Sequence, residues 1–264
     1  MRYRLTALAV PLAALLAGVG VVTLAAPGVE RCFAQAATDA EVEGRIACSG
    51  AGAAPPGGSS RACTTNKRLR SIAAARRGRG VRFGFVRRGA GKVTVDVFRV
   101  SQGRRVIGNR RVARFSNRER SFTWTGRGAG DGDYFARYRA RGAETRRLAL
   151  RRKNGRFARR PDFEARDGCG PLRAFKLERP VFGGRTNRAL GISYRLNRAA
   201  RVTVTVMRGA RTVRRFRTTS DRAGRTYRLR LATEGLRRGD HRIRISVRPP
   251  GAAAAVARLT AARL

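Results

Sequence analysis

The sequence predicts an all-β protein in which two tandem antiparallel β-sandwich domains follow an N-terminal signal or anchor segment. The first observation is an internal repeat, because RVTVTVMR at 201–208 closely matches KVTVDVFR at 92–99. A second pair of segments, Gly132–Tyr138 and Gly239–Ile245, repeats in the same order. The members of each pair lie roughly 107–109 residues apart, which is the length of a small domain and far longer than a solenoid unit.

Hydrophobic residues alternate with polar residues inside both copies, which is the pattern of a strand with one buried face and one wet face. The alternating runs are 81–85, 93–97, 202–206, 227–231 and 243–247. Short runs rich in β-branched residues, separated by Gly, Asn and Asp, predict about six or seven strands in each copy.

In the run that begins at Val93, the alternation places Thr94, Asp96 and Phe98 on the wet face. The last strand of each copy is predicted at Arg147–Leu150 and at Val256–Leu259. Gly and Pro clusters then define the boundaries. The predicted segments are a signal peptide or signal-anchor at 1–36, a flexible linker at 37–65, a first sandwich at 66–160, an inter-domain linker at 161–172 and a second sandwich at 173–264.

Each copy contains a Gly-Asp turn that leads into its penultimate strand, Gly132-Asp-Tyr134 in the first and Gly239-Asp-His241 in the second. These turns resemble the entry to that strand in bacterial immunoglobulin-like and fibronectin-III-like repeats of exported proteins. The resemblance covers about residues 66–160 and 173–264, and His241 replaces the tyrosine in the second copy. It implies Ig-like sandwiches that serve as a spacer, adhesive or polymer-contacting module, without catalytic residues.

The N-terminus has the pattern of an export signal. Arg2 and Arg4 precede an uncharged apolar run from Leu5 to Val29, and Ala34-Gln35-Ala36 offers a cleavage site. The uncharged run also has the length needed to span a bilayer, so cleavage and retention as an anchor both remain open. Either outcome places the repeats outside the cytoplasmic membrane, on the cell surface or in the medium.

Disulfides are expected for an exported chain with four cysteines, Cys32, Cys48, Cys63 and Cys169. Four cysteines allow three pairings, and the spacing does not choose among them. None of the cysteines forms a CxxC motif, which argues against a redox or zinc site.

The formal net charge is +44, and only four of the 60 basic residues are lysines. This arginine bias has two interpretations. It can reflect the codon usage of a GC-rich genome, or it can provide contacts to anionic envelope polymers or membrane surfaces. Nucleic acid is a less favoured partner, because the predicted export separates the chain from it and the arginines do not form one block.

The sequence offers no catalytic, cofactor or metal motif. His241 is the only histidine, so a Ser-His-Asp triad has one candidate base and an HExxH zinc motif is impossible. Asp162, Glu164 and Asp167 form one group of carboxylates, and Asp131 and Asp133 form a second, smaller one; turn chemistry and pairing with arginine are expected for both.

Two further features have structural interpretations. The glycine-rich stretch at 126–132 is predicted to be a hairpin turn, since its spacing does not match a phosphate-binding loop. Aromatic residues lie among arginines, a combination that can bind single-stranded nucleic acid, but their strand alternation favours core packing. These aromatics are Phe83, Phe85, Phe122 and Trp124.

The sequence therefore predicts an exported, non-enzymatic structural or binding protein of the cell envelope. A polyanion or nucleic-acid binder is the alternative, and an accessory module of an extracellular hydrolase, using Asp162 and Glu164, is the least favoured. No small-molecule substrate is predicted, and the sequence determines neither the ligand nor the oligomeric state.

Overall fold

The computed structural model describes residues 69–143, 145–166 and 170–264. All of these residues lie in one compact unit. The predicted signal or anchor, the predicted linker at 37–65, all four cysteines and Asp167 lie outside the described residues. No helix within the described ranges is long and apolar enough to cross a membrane.

The first sandwich contains eight strands in two antiparallel sheets. The strands are β1 Leu69–Arg77, β2 Gly80–Arg87, β3 Val93–Gln102, β4 Arg105–Arg118, β5 Phe122–Trp124, β6 Gly132–Ala140, β7 Arg146–Lys153 and β8 Arg156–Arg159. One sheet has the order β1-β2-β5, and the other has the order β4-β3-β6-β7-β8. Asn154 and Gly155 join β7 to β8 with positive φ angles of 50° and 71°, as a two-residue hairpin with the right-handed strand twist requires.

The second sandwich repeats this arrangement with additional short strands. The strands are β9 Glu164–Arg166, β10 Leu172–Leu177, β11 Val181–Phe182, β12 Leu190–Leu196, β13 Ala200–Arg208, β14 Arg211–Arg215, β15 Thr219–Asp221, β16 Thr226–Leu231, β17 Gly239–Arg248 and β18 Ala255–Arg263. One sheet has the order β16-β12-β10-β9, and the other has the order β11-β18-β17-β13-β14, with β15 also paired to β13. Only β11 and β18 run parallel among the pairs of the described residues.

The predicted fold class, an all-β chain built of antiparallel sandwiches, is confirmed, while three local predictions are wrong. The two copies contain eight and ten strands where about six or seven each were predicted, because edge strands of two to four residues are too short to show an alternating pattern. For the same reason the strand at Arg147–Leu150 is not the last of its copy, since β8 follows it. The glycine-rich stretch at 126–132 is not a hairpin, because it carries the chain from β5 in one sheet to β6 in the other.

The described residues of the segment predicted as a linker, 161–166 and 170–172, contribute to the second sandwich. Glu164–Arg166 pairs with β10 as an edge strand, and the Phe163 side chain is fully buried. The Asp162 carbonyl accepts a hydrogen bond of 2.9 Å from the Thr260 amide.

The two sandwiches share a hydrophobic core. Phe98 and Phe135 of the first sandwich stack at 4.9 Å and belong to the same buried cluster as the core of the second. Phe163 extends this contact, with its ring centre 5.9 Å from that of Phe135. The short 3₁₀ turn Gly184–Thr186 adds a backbone contact, in which the Arg185 amide donates to the Arg104 carbonyl at 3.1 Å.

This packing overturns the predicted wet face of β3. Phe98 is covered by the second sandwich, and Asp96 is fully buried beneath neighbouring side chains. In contrast, β13 keeps the predicted alternation, with Val202, Val204 and Val206 buried and the intervening residues accessible. The same repeated sequence therefore forms a covered strand in one copy and an open strand face in the other.

Candidate anion-binding surface

One buried carboxylate lies among four arginines on the outer face of the five-stranded sheet. Asp96 lies within ion-pair distance of Arg139 (2.9 Å), Arg137 (3.1 Å), Arg114 (3.2 Å) and Arg111 (4.0 Å). We call these five residues the Asp96 cluster. The Asp96 side chain has no accessible surface, whereas the four arginine side chains are 33–50% exposed. The carboxylate is therefore the covered centre of an exposed basic patch.

Strand register brings the cluster together. Asp96 is on the central strand β3, directly opposite Arg114 of the edge strand β4 and Arg137 of β6. A bulge between Val97 and Phe98 shifts the pairing with β4. Side chains directly opposite on one sheet face lie close enough to pair, and diagonal neighbours are within reach of a long arginine.

The cluster carries an excess of positive charge, because four guanidinium groups share one carboxylate. Arg137 and Arg139 both donate hydrogen bonds to the same Asp96 oxygen, Oδ2. The Nε–H groups of both arginines are buried without a hydrogen-bond partner. The Arg137 guanidinium also lies over the Phe98 ring, 4.6 Å from the ring centre, in a cation–π contact. Such a preorganised group of guanidiniums favours binding of oxyanions.

A cleft of about 420 Å³ adjoins the cluster and shares Arg111 with it. Its lining combines arginines with aromatic side chains, and the residues are Arg99, Arg110, Arg111, Val112, Trp124, Arg127, Gly128, Ala129, Gly130 and Tyr134. We call it the Trp124 cleft. Arg99 is held in place by two hydrogen bonds, from Nε to the Ser101 carbonyl (2.9 Å) and from Nη2 to the Asp131 carbonyl (2.7 Å). This cleft extends the basic surface beyond the sheet face.

The predicted carboxylate pair Asp131 and Asp133 has structural roles. Asp131 accepts backbone hydrogen bonds from Gly155 (3.1 Å) and Asn154 (2.6 Å), and the Gly155 bond is the main reason that the Asp131 pKa is lowered. Asp133 pairs at 2.8 Å with Arg151, its cross-strand neighbour on β7. No group of three or more metal-ligating side chains occurs in the described part of the chain.

The carboxylates of the larger predicted group, Asp162 and Glu164, form ion pairs with different arginines. Glu164 pairs with Arg147 at 2.8 Å and with Arg166 at 3.1 Å. Asp162 pairs with Arg159 at 3.0 Å on the surface. The two carboxylates therefore have separate cationic partners, as the sequence analysis expected, and Asp167 lies outside the described residues.

His241 is fully buried in the core of the second sandwich. Its Nδ1 lies 3.1 Å from the Gly239 carbonyl oxygen, and its ring packs edge-on against Phe182. Burial is the main cause that lowers the pKa of His241. At the corresponding position, Tyr134 donates a hydrogen bond from its hydroxyl to the Gly130 carbonyl. The histidine thus replaces a structural tyrosine in the core.

The predicted aromatic residues pack together as expected from their alternation. Phe83 is fully buried, with ring-centre distances of 5.5 Å to Phe122 and 6.5 Å to Trp124. Phe85 contacts Tyr138 edge-on at 6.5 Å. Trp124 differs from the others because it also lines the basic cleft.

Sequence reasoning missed Asp96 as a site residue. Asp96 is the only acidic residue in a strand of alternating valines, and this isolated carboxylate is the sequence feature that could have identified it. The four arginines come from two other strands, so their convergence depends on register and cannot be read from local sequence.

No protein-family model matches the sequence, and no curated protein matches it. Among solved structures, the selenomethionine-substituted chicken interferon gamma receptor alpha chain matches with 9% sequence identity and a TM-score of 0.22. The match covers 73% of this chain and 98% of that chain. Values this low carry no information about function, and the resemblance to bacterial immunoglobulin-like repeats stays a prediction.

Proposed function

We propose that this chain is an exported, non-enzymatic structural or binding protein of the cell envelope whose arginine-covered sheet faces contact anionic polymers. The observation that carries the proposal is the Asp96 cluster, in which one carboxylate leaves four exposed guanidiniums largely uncompensated. The net charge of +44 adds a long-range attraction for any polyanion.

The shared core of the two sandwiches supports a structural role. Two domains packed on a common core present a joint surface, which suits an extended polymer better than a small ligand. The Leu5–Val29 run and the preceding arginines support export, with the sandwiches outside the cytoplasmic membrane.

Polymer binding is tested by titrating the protein with an anionic polymer, polyglutamate or polyphosphate, and with neutral dextran as control. Contact through exposed arginines predicts that affinity falls steeply as salt rises from about 0.05 to 0.5 M, because exposed charges are screened within about 10 Å or less. Binding that is unaffected by salt, or no binding at low salt, contradicts the proposal.

The contribution of the Asp96 cluster is tested with a matched pair of double variants. Arg111→Gln with Arg114→Gln removes the two most exposed cluster arginines and leaves Asp96 its two closest partners. Arg222→Gln with Arg225→Gln makes the same charge change on an exposed turn of the second sandwich. We expect the first pair to weaken polymer binding several-fold more than the second, and equal losses would argue against a dedicated surface.

Export is tested by measuring intact mass in an expressing bacterium, with medium and membranes analysed separately. A shortened species in the medium indicates cleavage of the N-terminal signal, and a full-length species in the membrane indicates an anchor. Recovery of the full-length chain in the cytosol alone would exclude both.

A second candidate function is binding of single-stranded nucleic acid, and the Trp124 cleft is the observation that favours it. A ring system beside four arginines provides stacking and charge together. Trp124 is the only tryptophan in the chain, so its fluorescence reports on the cleft directly. Quenching by a single-stranded oligonucleotide, but not by polyphosphate at equal charge, would favour this candidate.

A further inference from the structure

The outer face of the second sandwich repeats the two directly opposite arginines of the Asp96 cluster without the carboxylate. In the repeated segment, Thr205 occupies the position of Asp96. Thr205 is directly opposite Arg215 of β14 and Arg244 of β17, just as Asp96 is opposite one arginine on each side. Even the bulge is repeated, because the β13–β14 register shifts between Val206 and Met207. The two copies therefore share the pair of directly opposite arginines, but the second copy has a threonine where the first has a carboxylate, and it has Thr212 and Ser246 where the first has Arg111 and Arg139.

The two arginines beside Thr205 have no carboxylate partner within the described ranges. Neither Arg215 nor Arg244 forms an ion pair there, and the Arg244 Nε–H is buried without a hydrogen-bond partner. Arg215 is exposed and Arg244 is partly exposed, so their guanidiniums can meet an oxyanion from outside the chain. We call Thr205, Arg215 and Arg244 the Thr205 site.

A polar pocket of about 580 Å³ lies farther along the same strand face. Its lining consists of two arginines and five hydroxyl residues, namely Arg201, Thr203, Thr218, Thr219, Ser220, Ser246 and Arg248. Arg201 and Arg248 are directly opposite each other across β13 and β17. Like charges directly opposite on a sheet are destabilising, and a bound anion relieves the repulsion. Neither arginine forms an ion pair with a carboxylate of the described residues, so the pocket also lacks an internal counter-ion.

We propose that the Thr205 site binds a phosphate group of an anionic polymer, in the place that the Asp96 carboxylate occupies in the first sandwich. This inference rests on the proposed function and locates one binding subsite for the polymer. Two guanidiniums and the Thr205 hydroxyl provide donors for three oxygens of a phosphate, whereas a carboxylate has only two. The pocket at Arg201 and Arg248 lies four strand residues from Thr205, which corresponds to roughly 13 Å. It therefore receives another phosphate of the same polymer, farther along its backbone.

The Asp96 cluster suggests the decisive substitution. Thr205→Asp supplies the second sandwich with the internal carboxylate that the first already has, so it should exclude an external phosphate. Thr226→Asp is the matched control, since it makes the same charge change at an exposed position of the other sheet, opposite Arg195. Both variants lower the net charge by one, and only the first changes the Thr205 site.

The experiment is a calorimetric titration of the chain, as it is recovered from the expressing bacterium, with a short inorganic polyphosphate at low salt. We expect Thr205→Asp to weaken binding about tenfold or more, as loss of several charge-assisted contacts predicts, and Thr226→Asp to weaken it less than about twofold. Arg244→Gln gives an independent test, because it removes a donor without adding a charge, and it should weaken binding while Arg228→Gln on the other sheet has little effect.

Two results would overturn the inference. Equal affinities of Thr205→Asp and Thr226→Asp would show that polyphosphate does not bind at the Thr205 site, while salt-sensitive binding by the wild type would leave the proposed function standing. Absence of binding by the folded wild-type chain at low salt would reject both proposals.

Discussion

Asp96 offers a direct test of the energetics of the cluster. Asp96→Asn keeps the shape of the side chain but removes the negative charge that four guanidiniums share. The structure indicates that this change destabilises the fold, because the mutual repulsion of the arginines is then uncompensated. The amide also places an NH₂ donor where the carboxylate accepted hydrogen bonds, so part of the geometry is lost as well.

The expected magnitude follows from the hydrogen bonds. Arg137 and Arg139 donate to Asp96 at 3.1 and 2.9 Å. A hydrogen bond to a charged group contributes about 1.5–3 kcal/mol, so the two together contribute about 3–6 kcal/mol. Water reaches the guanidiniums and offsets part of this loss, because their side chains are 33–40% exposed. We therefore expect the free energy of unfolding to fall by about 2–3 kcal/mol.

Thermal unfolding followed by circular dichroism measures this change. For a unit of about 150–250 residues, each kcal/mol lowers Tm by about 2–4 °C, so a loss of about 2–3 kcal/mol in Asp96→Asn should lower Tm by about 4–12 °C. Asp162→Asn is the control, because Asp162 has a 59% exposed side chain and a single arginine partner, and surface pairs contribute about 1 kcal/mol or less. If both variants unfold within about 2 °C of each other, the Asp96 cluster does not stabilise the fold beyond an ordinary surface ion pair.

Two further variants test the shared core and the buried histidine. Phe163→Ala should lower the free energy of unfolding by about 3–5 kcal/mol, because it leaves a cavity beside Phe135. Calorimetry should then show two unfolding transitions. The control Val213→Ala, at a 36% exposed position, should show a single transition. Because burial lowers the pKa of His241 below its unfolded value of about 6.5, protons bind the unfolded chain more readily. The contribution of His241 to the free energy of unfolding is therefore fully present above about pH 6.5, and it decreases as the pH drops toward the pKa of the folded state. Urea unfolding measures the free energy of unfolding at pH 7.5 and at pH 5.0. The decrease between the two pH values should be smaller in His241→Tyr than in the wild type, and an equal decrease would assign the pH dependence to other groups.

The strand faces that a single domain buries were predictable from the sequence, but the faces that the second domain covers were not. Alternation identified the inward valines of β13 and the inward isoleucines of β17 correctly. It failed at Phe98, because a period of two reports only which residues share a face. Whether that face meets water or another domain depends on packing between segments that are distant in sequence.

The candidate site shows the same division. The excess of arginine and the isolated aspartate in β3 are properties of the sequence. Their assembly depends on register, because a shift of one residue would move Asp96 to the opposite face of the sheet. The equivalence of Thr205 and Asp96 combines both levels, since the repeat aligns the two positions and the sheet places an arginine on either side of each.

The sequence by itself determined that this protein is a repeat of two β-rich units with an extreme positive charge, because composition and a period of two are local properties of the chain. The tertiary structure alone decided which arginines of the described ranges share a carboxylate. Cross-strand neighbours are set by hydrogen-bonded register and by bulges, and these depend on the packing of the whole sandwich.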